Sequence, residues 1–234
     1  MKHFNIAIDG PAGAGKSTVA KLAAKKLGFV YVDTGAMYRA IALHLLRSRV
    51  DPENQQAVEE ACREVKVEIA YADGVQRVIL NGEDVTGMIR NQEVGEMASA
   101  VSGYAAVRGK LTELQKDLAA RENVIMDGRD IGTCILPDAP AKIYLTASVR
   151  VRAMRRYREL TEKGTSCTLE KIEKEIEERD YRDMHREHSP LCQAENAILL
   201  DSSEMTLEQV VESIISIAGK CGWSPDADTG EADA

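Results

Sequence analysis

Gly10-Pro11-Ala12-Gly13-Ala14-Gly15-Lys16-Ser17, with Thr18 following, fits the pattern G-x-x-x-x-G-K-[ST]. Residues 4–8 before it read as a short buried strand and residues 17–27 after it as a helix, which is the context the pattern requires. Three glycines let backbone N–H groups turn inward around a phosphate, and the helix N-terminus adds its positive dipole. Lys16 is then expected to reach the outer phosphates, and the Ser17 hydroxyl to ligate Mg²⁺. The stretch from Gly10 to Thr18 implies nucleoside triphosphate binding rather than a merely glycine-rich turn.

Composition narrows the setting. With 234 residues the chain fits one α/β domain carrying an insertion better than two independent domains. A formal net charge of −8 argues against a general grip on nucleic acid, so any anion binding must be local. No apolar signal region precedes the first strand and no apolar run approaches the ~20 residues of a membrane span. A cytoplasmic protein with no membrane and no nucleic-acid partner is expected. Cys62, Cys134, Cys167, Cys192 and Cys221 are odd in number and form no C-x-x-C pair, as expected of reduced thiols.

Along the chain, Gly28 ends the first helix and residues 29–32 read as a strand that delivers Asp33-Thr34-Gly35 to its carboxyl end. Residues 36–49 read as a helix with Tyr38 and Arg39 in its first turns. Asp51-Pro52 is read as the start of a helix over 53–65. The period then changes: residues 65–71 and 75–80 alternate as strands, with Asp73-Gly74 and Asn81-Gly82 as turns. A compact antiparallel piece in a β/α chain reads as an insertion, placed at 63–104, with a helix over 86–102 leading back. Residues 104–121 are helical, and the strand 124–126 ends at Asp127-Gly128-Arg129-Asp130. Asp127 is either a turn former or a carboxylate that assists Mg²⁺. After a strand at 142–145, a helix over 148–163 places Arg152, Arg155 and Arg156 on one face, either solvated or an anion clamp. In the helix 168–187, Arg179, Arg182, Asp183 and Arg186 share one stripe, which on its own also describes a salt-bridged surface. A strand at 197–200 and a capped helix from Thr206 to about 219 complete the pattern, and 221–234 reads as a disordered acidic tail.

Five short strands alternating with helices indicate a parallel sheet covered on both faces, which gathers the phosphate loop, Thr34, Arg39, Asp127, Arg129 and Asp130 at one edge. On these residues the chain resembles the bacterial cytidylate kinases, P-loop nucleoside monophosphate kinases that transfer the γ-phosphoryl group of ATP to CMP or dCMP. The likeness covers residues 4–218. Its carriers are residues 8–18, Asp33-Thr34-Gly35-Ala36-Met37-Tyr38-Arg39, Asn81-Gly82-Glu83-Asp84-Val85-Thr86, residues 127–133 and Glu178-Arg179-Asp180-Tyr181-Arg182-Asp183.

The resemblance implies a kinase core of residues 1–62 and 105–220, a monophosphate-binding insertion over 63–104 and a lid over about 150–166. It implies that Arg39 and Arg129, with Thr34 and Tyr38 nearby, hold the acceptor phosphate. Ser99, Arg108, Asp130 and Arg186 would face the cytosine, and Arg179 and Asp183 the pentose. Lys16 and the lid arginines Arg152, Arg155 and Arg156 would stabilise the transferring group, with Mg²⁺ held through Ser17 and Asp127 and ATP as co-substrate. Met184 and His185 depart from the polar or basic residues common there. A monomer is expected. The rivals are a P-loop kinase for another small acceptor, such as UMP or a hydroxy acid, and a nucleotide-dependent switch, against which stands the lack of any N-K-x-D base-reading motif.

Overall fold

A computed structural model describes residues 3–162 and 164–225 of the chain. The first β/α units are β1 (Ile6–Asp9), α1 (Lys16–Leu27), β2 (Val30–Asp33) and α2 (Thr34–Arg47). Then follow α3 (Gln55–Glu64), the strands β3 (Val67–Ala72), β4 (Val75–Leu80) and β5 (Glu83–Asp84), and α4 (Gln92–Val101) and α5 (Ala105–Arg121). The chain returns to the sheet with β6 (Val124–Gly128), a single π turn (Ile131–Ile135), β7 (Ala141–Thr146), α6 (Val149–Glu162), α7 (Leu169–His185), β8 (Ile198–Asp201) and α8 (Leu207–Lys220).

Five strands form one parallel sheet in the order β2-β6-β1-β7-β8. Its inner strands are apolar on both faces because both faces are covered. Ala7, Val32 and Met126 pack into a cluster with Met37, Ile41 and Leu45 of α2 and Val107 and Leu111 of α5. Ile6, Ile8, Ile125 and Ile143 point the other way, onto Val19 and Ala23 of α1 and Val210 and Ile214 of α8. All five strands end at the same edge, and the phosphate loop leaves the central one.

The three antiparallel strands make a second sheet, β3-β4-β5. Asp73 and Gly74, at φ 53° and 71°, and Asn81 and Gly82, at φ 50° and 86°, take the left-handed conformations that tight hairpin turns with these residue pairs require. Val78, Leu80, Val85 and Ile89 lie in the same buried cluster as α2 and the face of the main sheet beneath it. The insertion and the parallel sheet thus share one core.

Three boundaries differ from the sequence reading. Asp51-Pro52 does not start α3: the Asp51 carboxylate accepts from Glu53 N at 2.9 Å in a turn, and Asn54 caps the helix by accepting from Ala57 N at 3.1 Å. The helix expected over 86–102 begins only at Gln92, capped by Asn91. Thr86 is drawn into the small sheet instead, its hydroxyl accepting from Val78 N at 2.9 Å and donating to Asp84 Oδ1 at 2.5 Å. Residues 221–225 do not belong to a tail, because Trp223 N donates to Ala218 O at 3.0 Å and its ring lies edge-on 5.7 Å from Phe29; the remainder of that expected tail, 226–234, lies outside the described residues. Among the described residues no helix is long and apolar enough to cross a membrane.

The shared core has a testable consequence. Leu80→Ala, at a buried position of the small sheet, is expected to lower the stability of the whole chain by about 2–5 kcal/mol. Denaturant unfolding followed by far-UV circular dichroism and by the fluorescence of Trp223, the single tryptophan, should give coincident midpoints in wild type and variant. Two separated transitions would show that the small sheet unfolds by itself.

Candidate functional site

The loop after β1 can take its path only with glycine at position 10. A Cβ there would lie 1.9 Å from the carbonyl oxygen of Leu145 on β7. The loop ends at Gly15, which precedes α1 without any side-chain cap, so the first-turn amides of α1 face the cavity uncapped. Lys16 is 6% exposed and folds back onto the loop, its Nζ donating to Gly10 O at 2.6 Å and Pro11 O at 2.8 Å. Burial, and after it the charge of Arg129, hold its pKa well below the usual lysine value.

Strand-terminal carboxylates order the residues around this loop. Asp127 accepts from Ser17 Oγ at 2.9 Å and from Tyr31 Oη at 2.9 Å, and its main-chain oxygen accepts from Thr34 Oγ1 at 2.7 Å. Burial, reinforced by Asp33, raises the Asp127 pKa to about 6. Asp33 caps α2 by accepting from Ala36 N at 2.9 Å, and its other oxygen takes Arg90 Nη2 at 2.7 Å. Asp9 accepts from the amides of Ile131 and Gly132 at 2.8 and 2.7 Å, which fixes the π turn directly after Arg129-Asp130. Burial lifts its pKa also to about 6.

The far end of the cavity is rich in arginine. Arg39, from α2, donates to Ile89 O at 3.3 Å and runs across α4, where a Cβ on Gly95 would come within 2.8 Å of its Nη1. The absence of a side chain at Gly95 is therefore the space Arg39 occupies. Arg129 Nε donates to Asp183 at 2.8 Å. Burial acts to raise the Asp183 pKa, but Arg129 and Arg179 outweigh it and hold the group below the usual carboxylate value. Asp130 is flanked by Arg108, which is hydrogen-bonded to it, and by Arg186, 3.6 Å away. Arg108 also stands over the ring of Tyr38, 5.8 Å from its centroid. Ser99 Oγ, Arg179 Nε and Arg186 Nη2 are buried with no hydrogen-bond partner. Such atoms beside a cavity, with Arg186 Nη2 held only by its 3.6 Å ion pair to Asp130, are groups poised to meet a polar ligand.

Arg152, Arg155 and Arg156, three of the five arginines of α6, are placed differently from one another. Arg152 is buried, with Nε on Ala147 O at 2.9 Å and Nη1 on both Ala12 O at 2.7 Å and Asp180 at 2.6 Å. Arg155 reaches Ser202 O at 2.7 Å, and Arg156 is half exposed and paired with Glu159 at 2.8 Å. One cavity of about 670 Å³ is lined by the loop from Ala12 to Thr18 and by Thr34, Tyr38, Arg39, Ser99, Arg108, Arg129, Asp130, Arg179, Asp183 and Arg186, together with Arg152, Arg155 and Arg156. Gly10 and Pro11, expected in the ATP site, do not line it; their carbonyls accept from Lys16 Nζ. Arg90 and Ser102 also line it, while Tyr31, Asp9 and Asp180 stand behind it; the sequence reading gave none of these a role. Asp9 carried the one available signal, a carboxylate ending an apolar strand as Asp127 does. Nothing in the periodicity around Arg90 marks it.

The donor set suited to a metal is the Ser17 hydroxyl with the Asp127 carboxylate, hard oxygen groups that fit a hard divalent cation taking its remaining ligands from phosphate and water. Among the described residues no group of three or more His, Cys, Asp or Glu could hold a metal alone. His185, at the departure from the family pattern, stacks on Tyr181 with centroids 4.0 Å apart, and leaves Arg186 at the helix end directed to Ser189 O at 2.7 Å.

Comparison with known proteins fits this geometry. Among solved structures, an uncharacterised protein from Eubacterium ventriosum aligns with a TM-score of 0.52 at 11% identity, covering 93% of this chain and 99% of that one, a likeness of fold alone. A protein of Ligilactobacillus salivarius named cytidylate kinase is 48% identical over 217 residues, 93% of this chain and 97% of the relative. One of the same name from Caldicellulosiruptor saccharolyticus is 50% identical over 93% of this chain and 96% of its own length. The sequence model of the cytidylate kinase family matches residues 6–220. With the phosphate loop at one end of the cavity, the arginine-flanked aspartate at the other, and these relatives along almost its whole length, the chain belongs to the cytidylate kinase family.

Proposed function

We propose that the chain transfers the γ-phosphoryl group of ATP to CMP or dCMP, giving ADP and CDP or dCDP. The observation that carries this is the single cavity running from the uncapped start of α1 to Asp130 between Arg108 and Arg186. Such a cavity can hold a triphosphate and a monophosphate end to end and exclude water between them.

In the reaction an oxygen of the acceptor phosphate forms the new bond to the γ-phosphorus while the bond to the β,γ-bridging oxygen breaks. The attacking oxygen is ionised at neutral pH, so no general base is needed and the protein contributes position and charge. Arg39 and Arg129, beside Thr34, hold the acceptor phosphate, with Arg90 close enough to join them. Arg179 and Asp183 approach the pentose. Ser99 and Asp130 meet the cytosine edge, with Arg108, Arg186 and Tyr38 closing the wall. Lys16 must leave its own loop carbonyls to reach the donor phosphates, and Arg155 and Arg156 close over them from α6. Ser17, with Asp127 behind it, would hold Mg²⁺, and the ion would supply positive charge to the donor phosphates.

Lys16→Met keeps the aliphatic stem that fills the loop and removes the charge. Turnover is expected to fall by about 10²–10³, the loss of one charge-assisted contact to the transferring group, with circular dichroism unchanged. A fall of less than tenfold in a natively folded variant would remove Lys16 from this role.

Asp130 decides between cytosine and uracil because a carboxylate accepts from the cytosine 4-amine but meets the uracil carbonyl acceptor to acceptor. Arg129 pairs with Asp183, so Asp130 is not needed to orient it. Asp130→Asn should lower kcat/KM for CMP while the CMP-to-UMP ratio drops at least about tenfold. An unchanged ratio would mean that Asp130 only braces Arg108 and Arg186.

A further inference from the structure

The helices α6 and α7 share a small buried cluster of their own, Ala153, Ile172 and Ile176, apart from the two clusters flanking the main sheet. Apolar packing therefore binds the two helices to each other, and polar contacts join them to the phosphate loop. Asp180 of α7 accepts from Ala12 N at 3.0 Å with one oxygen and from Arg152 Nη1 at 2.6 Å with the other. The same Arg152 nitrogen donates to Ala12 O at 2.7 Å, while Nε donates to Ala147 O at 2.9 Å. Asp180 is 8% exposed and Arg152 4%, so these bonds are shielded from water.

Ala12 is thus gripped at both its N–H and its C=O by side chains from two different helices. The next residue is seated on the same surface. Gly13 has φ +73°, and a Cβ there would lie 3.4 Å from Arg152 Cβ and 3.7 Å from Ile176 Cδ1. An ammonium could not replace the guanidinium, because only the planar fork presents Nε and Nη in the fixed geometry that reaches Ala147 and Ala12 together. Arg152 accordingly spends these donors on protein rather than on a ligand.

We propose that Asp180 and Arg152 are positioning residues that couple the seating of the α6–α7 pair to the shape of the phosphate loop. When both bonds to Ala12 are made, the amides that follow it are held ready for the donor phosphates. When the helix pair shifts, the loop loses its anchor and donor affinity falls. This rests on the reading of the loop as the donor site, while the brace itself stands on geometry that is independent of substrate.

Asp180→Asn tests it. The amide oxygen can still accept from Ala12 N–H, but the amide nitrogen then faces the Arg152 guanidinium, donor against donor. Hydrogen exchange of the Ala12 amide in the free full-length chain is expected to quicken at least about tenfold, and the Kd for ATP to rise by a similar factor, the effect of leaving a buried donor poorly paired. The Kd for CMP, measured on the same samples by calorimetry, should rise by less than the Kd for ATP, since Arg179 and Asp183 share α7 with Asp180 but do not touch Ala12. Arg152→Lys keeps the charge beside Asp180 but not both carbonyl contacts, and should shift Ala12 exchange and ATP affinity the same way; it decides the matter if Asp180→Asn does not fold. Unchanged Ala12 protection in a folded variant, or a Kd for CMP that rises as much as that for ATP, would overturn the coupling. If the wild-type chain bound no ATP, the functional reading would fall, and Ala12 exchange would still decide the brace.

Discussion

Three carboxylates stand at the ends of three adjacent strands of the sheet, and the site depends on how each one is satisfied. Asp33 and Asp9 close β2 and β1 and Asp127 is the penultimate residue of β6, all nearly inaccessible to water. An unpaired buried charge costs several kcal/mol, so each carboxylate draws donors to it. Those donors belong to the functional loops. Asp33 takes the first turn of α2, which carries Tyr38 and Arg39, and Asp127 takes Ser17 of the phosphate loop. Asp9 takes the two amides that follow Arg129-Asp130. Each strand end thereby fixes one part of the site, and the parallel sheet brings the three parts together.

This arrangement also explains how a chain with net charge −8 can present an anion site. The cavity concentrates cations, from Arg39, Arg90 and Arg129 to Arg179 and Arg186, and the acidic residues that balance them are buried behind or beside them. Crowding shows in the proton affinities. Arg179 is pushed down to about 10 by burial and by the charge of Arg129 next to it. Phosphate groups arriving in this field relieve repulsion among the arginines, so ligand charge and protein charge stabilise each other where the bulk field of the molecule would not.

The sheet, the phosphate loop and both hairpin turns were legible because short-range rules govern them: apolar runs, glycine spacing and Asp-Gly or Asn-Gly pairs. The helix over-extended to 86 shows where such rules end. Thr86 is held out of the helix by a local turn, its N–H and hydroxyl both donating to Asp84 Oδ1, and by a partner no local rule supplies, Val78 N, which donates to its hydroxyl. Arginine pairing was beyond reach for the same reason. Arg152, Arg155 and Arg156 read alike on one helical face, yet their partners come from residues 12, 202 and 159. Arg90 sits in a turn with no periodic signal, and only the meeting of the small sheet with β2 places it on Asp33. The likeness to a known family supplied Ser99, Arg108 and Arg186, which spacing alone would not have brought to one pocket.

The central claim is that one cavity holds ATP at the phosphate loop and a cytidine monophosphate at Asp130. Its most direct measurement is ADP release from ATP with CMP, dCMP, UMP, AMP, GMP and a hydroxy acid such as shikimate offered singly. The account predicts that CMP and dCMP give the highest kcat/KM, with UMP at least about tenfold lower because its 4-carbonyl faces a carboxylate. A highest kcat/KM for any acceptor other than CMP or dCMP would contradict it.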